Sequence, residues 1–141
     1  MKTKFKVTGD LPPKKDGALS MWSKPLDSRR LEKLRTAAAR AFKGKPPLTK
    51  NIRLNLIVNV GMTNDQSTGD LDNFVTGVCD GLMAANPRTK LNELWNQPSL
   101  ADIHPSKAVG IIDDAQVVLI KAHKLVGKDS QLWYEVSLEG D

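Results

Sequence analysis

Four stretches of this chain have the pattern of β-strands, and in the first two apolar and polar residues alternate with the period of two that is typical of a half-buried strand. The clearest stretch is 51–60, in which Ile52, Leu54 and Leu56 alternate with polar neighbours. A short turn at Gly127 separates the last two stretches and predicts that they pair as a β-hairpin. The four predicted strands cover residues 2–8, 51–60, 114–124 and 131–138, and the lysines of the first indicate a protected edge strand.

Two further stretches carry apolar residues at the three- and four-residue spacing of an amphipathic helix. The first begins at Asp27 or Ser28, either of which is a favoured capping residue, and runs to about Phe42. The second covers about residues 70–85. The apolar stripes are Leu31, Leu34, Ala38, Ala41 and Phe42 in the first helix, and Leu71, Phe74, Val75, Val78, Cys79, Leu82 and Met83 in the second.

The order β-α-β-α-β-β predicts one α+β domain over residues 1–141, in which two helices pack on a mixed sheet. Residues 86–110 fit neither period and form a long irregular excursion, with one or two helical turns around 91–95. We interpret Trp95 as the core anchor of this excursion. The alternative is that Trp95 approaches a substrate together with Arg88, Lys90 and Lys107.

Composition excludes several classes of protein. No run of apolar residues approaches the roughly 18 that a membrane span needs. The first residues do not resemble a secretory signal, and the single cysteine, Cys79, offers neither an internal disulfide nor a zinc-ligand cluster. We therefore expect a cytoplasmic protein without membrane partners, and any working metal should be held by oxygen ligands.

Charge is distributed unevenly along the chain. Residues 1–53 carry 15 Lys/Arg against 4 Asp/Glu, a net of +11, and residues 54–141 carry 6 against 12, a net of −6. This asymmetry indicates a polyanion partner for the first part and a cation for the second, although a solvated basic face is the plain alternative. If the polyanion is a nucleic acid, the residues expected to contact its phosphates are Lys14, Lys15, Arg29, Lys33, Arg40 and Lys107.

Several aspartates lie directly beside predicted apolar elements, where packing of the core does not require a charged residue. Asp70 and Asp72 open the second helix, and the pair Asp113–Asp114 precedes the third strand. A helix cap explains Asp70 and a turn explains the pair, but together they offer hard oxygen ligands for Mg²⁺, with Mn²⁺ as a possible substitute. A calcium-binding EF-hand is excluded because its twelfth position is Thr76 instead of glutamate, and no serine stands in a nucleophile-elbow context.

Three motifs resemble the RusA family of Holliday junction resolvases. They are Gly-Asp-Leu-Asp-Asn at 69–73, Asp-Gly-Leu at 80–82 and Ile-Asp-Asp-Ala-Gln-Val-Val at 112–118, with a weaker likeness at Pro12–Pro13. The resemblance implies a homodimeric α+β nuclease that cuts branched, four-way DNA junctions with Mg²⁺. It also implies that Asp70, Asp72 and Asp114 are the catalytic, metal-binding carboxylates. Asn73, Thr76 and Asp113 are the residues that we expect around these ligands.

The sequence departs from the family at two places. Thr76 replaces a lysine that lies one helical turn after the second aspartate, and the excursion 86–110 replaces a short turn. Lys107, Lys121 or a lysine of a partner subunit could supply the missing charge. Otherwise the chain is a slow or inactive relative that binds junctions without cutting them, and activity on another nucleic-acid structure stays open.

Overall fold

The computed structural model describes residues 1–15, 20–61, 70–127 and 130–140. Its order of long elements, β-α-β-α-β-β, is the predicted one, and the fold is a single small α+β domain. The described residues add three short 3₁₀ helices, at Glu93–Asn96, Pro98–Ile103 and Asp114–Gln116. The long elements are β1 (Lys2–Thr8), α1 (Pro25–Phe42), β2 (Ile52–Asn59), α2 (Leu71–Leu82), β3 (Val117–Leu125) and β4 (Trp133–Gly140).

The four strands form one mixed sheet in the order β1-β4-β2-β3. β4 pairs antiparallel with both β1 and β2, whereas β3 pairs parallel with β2. The predicted hairpin of the last two strands is therefore wrong, because β2 lies between β3 and β4. Alternation identifies the buried face of a strand but not its neighbour, and the helical connection through α2 favours the parallel β2–β3 pair.

Both α-helices cover the same face of the sheet, and the core lies between the two layers. The other face is polar and is held by ion pairs such as Lys4–Glu135 at 2.8 Å and Arg53–Glu139 at 3.4 Å. The buried face is built from Phe5, Val7, Ile52, Leu54, Leu56, Val58, Tyr134, Val136 and Leu138, under Leu31, Leu34, Ala38, Phe74, Val78 and Leu82 of the helices.

The start of α1 and the end of α2 differ from their predicted positions, whereas α1 ends at Phe42 as predicted. α1 begins at Pro25, earlier than expected, because the fixed φ of proline suits the first helical position. Ser28 does not cap it: its buried hydroxyl donates to the carbonyls of Met21 and Trp22 at 3.2 and 3.0 Å. α2 ends at Leu82 instead of continuing to residue 85. None of the described helices is long and apolar enough to cross a membrane.

Arg35 fastens the excursion to the two helices. Its guanidinium is fully buried and donates hydrogen bonds to five carbonyls, those of Gly81 and Met83 at the end of α2 and those of Ile103, His104 and Lys107 in the excursion. Trp95 is buried against Trp22, with ring centroids 5.9 Å apart, as a core anchor should be. The excursion is therefore part of the packed domain.

Candidate metal and nucleic-acid site

Asp72, Thr76 and Asp80 form an acidic face on α2, because residues four positions apart lie on the same side of a helix. Asp72 and Thr76 are exposed and Asp80 is half-buried. Asp70 occupies the N-cap position, but its side chain makes no capping hydrogen bond. Asp70 therefore has the position of a helix cap without the capping hydrogen bond, and its carboxylate stays available to a ligand.

The Pro12–Pro13 loop packs directly on the backbone of α2. A Cβ atom added to Gly77 would lie 2.0 Å from the carbonyl oxygen of Pro13, so only glycine permits this contact. The amide of Lys15 then donates to the carbonyl of Asn73 at 3.2 Å. This packing delivers the basic residues that follow the prolines to the acidic face of α2.

Lys15 meets that face at Asp80. Its ammonium nitrogen lies 3.0 Å from Oδ2 of Asp80, which is one helical turn beyond Thr76. The Lys15 side chain remains 56% exposed, so the ammonium can contact a further anion as well. Lys15 is one of the predicted phosphate contacts, whereas Asp80 is not among the predicted site residues. Their ion pair joins residues 65 positions apart, which no local pattern reveals.

Asp113 and Asp114 lie in a tight turn that leads into β3. Asp113 caps the 3₁₀ helix Asp114–Gln116, and its carboxylate accepts from the amide of Ala115 at 2.9 Å. The Gln116 side chain completes a capping box by accepting from the amide of Asp113 at 2.9 Å. The alternative explanation of Asp113 as a turn residue is therefore correct for that carboxylate, while Asp114 is exposed beside it.

Gln116 holds this turn in place. It is largely buried, its amide nitrogen donates to the carbonyls of Leu48 and Lys50 at 2.8 and 2.9 Å, and its side-chain oxygen also accepts from Ile112 at 2.8 Å. Gln116 belongs to the motif at 112–118 but is not among the predicted site residues. The sequence feature that could have identified it is a side-chain amide at the start of an apolar strand. When such an amide is buried, both its oxygen and its nitrogen need hydrogen-bond partners.

The electrostatics connect the Asp113–Asp114 turn to α2. The pKa of the Asp114 carboxyl is raised, first by its hydrogen bond with Asp113 and then by slight burial and the negative charges of Asp113 and Asp80. The pKa of Asp113 is lowered, mainly because its carboxylate accepts from the Ala115 amide. Burial raises the pKa of the Cys79 thiol to about 11, with Asp80 and Asp114 adding to the effect. Negative charge thus accumulates here and disfavours further ionisation.

The charges of Asp113 and Asp80 reach Asp114 and raise the pKa of its carboxyl, whereas Asp70 and Asp72 lie at the start of α2. Eight residues of helix separate Asp72 from Asp80, about 12 Å along the axis. Within the described parts of the chain, no three His, Cys, Asp or Glu side chains are grouped closely enough to hold a metal ion. The donors are nevertheless all carboxylates, which suit Mg²⁺, and Mg²⁺ keeps several waters and needs only one or two protein carboxylates.

Asp10 forms ion pairs with part of the basic surface of α1. Lys33 and Arg30 bind its two carboxylate oxygens at 2.8 and 3.0 Å. Burial opposes ionisation of Asp10, but these partners and the Leu11 amide hold the pKa of its carboxyl below the ordinary value. Arg29 and Arg40 remain exposed on the helix, and so does Lys107 in the excursion. Of the predicted phosphate-binding residues on α1, Lys33 is therefore already partly neutralised.

Compared with known families and characterised proteins, the sequence matches no family model and no curated protein.

Proposed function

We propose that this chain is a Mg²⁺-dependent endodeoxyribonuclease that resolves four-way DNA junctions as a homodimer in the cytoplasm. The observation that carries the proposal is the contact between Lys15 and Asp80. It places a cation on the acidic face of α2 one turn from Thr76, the position at which the motif lacks its lysine. An acidic face with a lysine at its edge suits a phosphodiester and a divalent cation together.

Each residue of the site has a distinct part in this proposal. Asp70, Asp72 and Asp114 would offer carboxylate oxygens to Mg²⁺, or to Mn²⁺ in its place, with one or two of them on an ion that keeps waters as its other ligands. The bound ion would neutralise phosphate charge and activate water. Lys15, positioned by Asp80, stabilises the negative charge that develops on the phosphate. Asp113 and Gln116 fix the turn that presents Asp114. Basic side chains outside this centre, Lys14, Arg29, Arg40 and Lys107, bind backbone phosphates without reading sequence.

A homodimer suits a junction because a four-way junction has two-fold symmetry. A two-fold dimer offers one active site to each of two equivalent strands.

Thr76 favours one alternative function, a junction-binding protein that does not cleave. Its hydroxyl donates to the carbonyl of Asp72 at 3.1 Å, so the hydrogen bond of Thr76 is made within its own helix. If Lys15 does not replace the missing lysine, the protein would recognise the shape of a junction through its basic surface alone.

The deciding experiment measures single-turnover cleavage of a four-way junction, with linear duplex of the same sequence as the control substrate. We expect cleavage of the junction only, dependent on Mg²⁺. Asp72→Asn should abolish it, because a carboxamide is a poor ligand for a hard cation, and should leave junction binding equal or tighter because one negative charge is removed.

Asp102→Asn is the matched control, since Asp102 is an exposed aspartate of the excursion outside the acidic face. It should cleave like the unmodified protein. Full activity of Asp72→Asn would refute the assignment of Asp72. Tight junction binding without cleavage at any Mg²⁺ or Mn²⁺ concentration would establish the alternative function instead.

A further inference from the structure

β3 is an edge strand with an apolar surface. It lies at the end of the four-stranded sheet and pairs only with β2 among the described strands. Three consecutive large side chains are exposed on it: Val118 at 54%, Leu119 at 43% and Ile120 at 50%. From Leu119 to Leu125 the pairing with β2 is continuous, so the outer edge presents a regular row of backbone donors and acceptors. An exposed apolar edge of this kind is a template for pairing with another strand.

The opposite edge of the sheet has a different character. β1 carries Lys2, Lys4 and Lys6, all exposed, which is how a protein protects an edge against association. β3 has no such protection in its first half, where its apolar side chains stand. The β1 edge is therefore protected against association by its charged side chains, and the first half of the β3 edge is not.

Charge along β3 identifies its partner. The strand is preceded by the acidic pair Asp113–Asp114, has its apolar patch at 118–120, and ends in a basic half that contains Lys121, His123 and Lys124. Two copies of this strand placed antiparallel would match apolar centre to apolar centre and acidic start to basic end. A parallel arrangement would oppose like charges, which is destabilising.

We propose that the apolar patch 118–120 of β3 is the contact through which two copies of this chain associate, antiparallel about a two-fold axis near Leu119. In this register Lys124 of each copy lies opposite Asp114 of the other, and Lys121 lies opposite Val117. The second copy thereby contributes positive charge beside the candidate metal site. The use of this contact rests on the proposed endonuclease, but the contact itself stands on the geometry and charge of β3.

The test measures molar mass by sedimentation over a range of protein concentrations, without DNA or metal. We expect a dimer for the unmodified chain and, for Leu119→Lys, a dissociation constant raised about tenfold or more, because a charge would enter the apolar centre of the contact. Leu26→Lys is the matched control, since Leu26 is 53% exposed on α1 and lies outside the patch. It should leave the dimer intact.

Cross-linking locates the axis independently of affinity. Leu119→Cys should form an intermolecular disulfide on mild oxidation, whereas Leu26→Cys should not, and the native Cys79 is buried and does not compete. Two results would overturn the proposal. One is a native chain that stays monomeric at tens of micromolar, about the concentration at which weak specific association is seen. The other is a dimer that Leu119→Lys does not weaken. Because neither measurement involves cleavage, failure of the nuclease proposal and failure of this contact would appear in different experiments.

Discussion

At the scale of single residues, Gly77 decides where the Pro12–Pro13 loop lies. The loop carbonyl occupies the space of the missing side chain, and Lys15 follows two residues later. A glycine in the middle of a helix ordinarily weakens that helix by up to about 1 kcal/mol relative to alanine. Here the close approach of the loop compensates for that cost and positions the cation of the site.

Gly77→Ala should therefore destabilise the protein, although alanine is the better helix former. The added methyl would meet a backbone oxygen at 2.0 Å, and a forced shift of this kind costs about 1–3 kcal/mol. Urea denaturation measures the change. Gly140→Ala is the control, because its Cβ would meet only ordinary contact at 3.8 Å, and the midpoint of this variant should hardly move. Equal midpoints for both variants would contradict the tight contact.

Lys15 can be tested against Thr76 in a single series of variants. Lys15→Ala should lower single-turnover cleavage of a junction by about tenfold or more, because a positioned charge that acts on the transition state is removed. Adding Thr76→Lys to Lys15→Ala should restore much of the rate, since position 76 lies on the same helix face and is exposed. Thr76→Lys alone should be neutral or harmful, and its stability should change by no more than about 0.5 kcal/mol.

Lys14→Ala provides the comparison for this series, with an expected effect on binding and little effect on the rate of the bound complex. A cleavage rate for Lys15→Ala that equals that of the unmodified protein would show that Lys15 only neutralises Asp80.

At the scale of elements, α1 does more than cover the sheet. Its buried Arg35 belongs to the same helical stripe as Leu31 and Leu34, and its charge is satisfied by carbonyl oxygens. Burial lowers the pKa of this guanidinium to about 10. Trp22 lies against it, with its ring centroid 5.2 Å from the guanidinium carbon. One side chain thus connects α1, the end of α2 and the excursion.

Arg35→Met should cost at least about 3 kcal/mol of unfolding free energy, because the substitution leaves several buried carbonyls without a donor. Arg40→Met changes the same residue type on the exposed side of the same helix and should cost no more than about 0.5 kcal/mol. Thermal and urea unfolding of the two variants make the comparison. A small loss in Arg35→Met would mean that water replaces the guanidinium at these carbonyls.

Elements were predictable from the sequence because each period is a local property. Both helices and all four strands lie close to their predicted positions, and β1 is an edge strand as its lysines indicate. Strand neighbours are not local, so the hairpin was predicted wrongly. Residue type and spacing select Asp70, Asp72 and Asp114 as candidate carboxylates, and their role in holding a metal stays a prediction. Asp80 and Gln116 could not be selected in this way, because their roles depend on Lys15 and on Leu48 and Lys50, far away in sequence.

Arg35 is an intermediate case, because a signal for it was present. It lies four residues after Leu31, at a core position of the predicted stripe, where an arginine is out of place. Such a residue indicates a buried charge that the rest of the fold must satisfy.

At the scale of the whole molecule, the basic first third of the chain is spread over different surfaces. The lysines of β1 lie on the polar face of the sheet, and Lys4 there is bound to Glu135. Arg29 and Arg40 are exposed on α1, on the other side of the sheet. If DNA lies across the helical layer, only the second group should contribute to binding.

Replacing Arg29 and Arg40 together with glutamine should weaken junction binding and reduce the slope of log affinity against log salt by about 2, as expected for two lost phosphate contacts. Lys4→Gln is the control on the opposite face and should leave the slope unchanged. Binding isotherms at several salt concentrations give both values. An unchanged slope in the double variant would place the DNA contact elsewhere on the protein.

The five carbonyls bound by Arg35 also have a consequence for the order in which the chain folds. The bonds join residues 46 to 72 positions apart, so each can form only after α1 has met the end of α2 or the excursion. Closing such long loops is slow compared with forming either helix. The excursion should therefore be the last part to acquire its structure on refolding. Once closed, its amides should exchange with solvent only when the helices themselves separate.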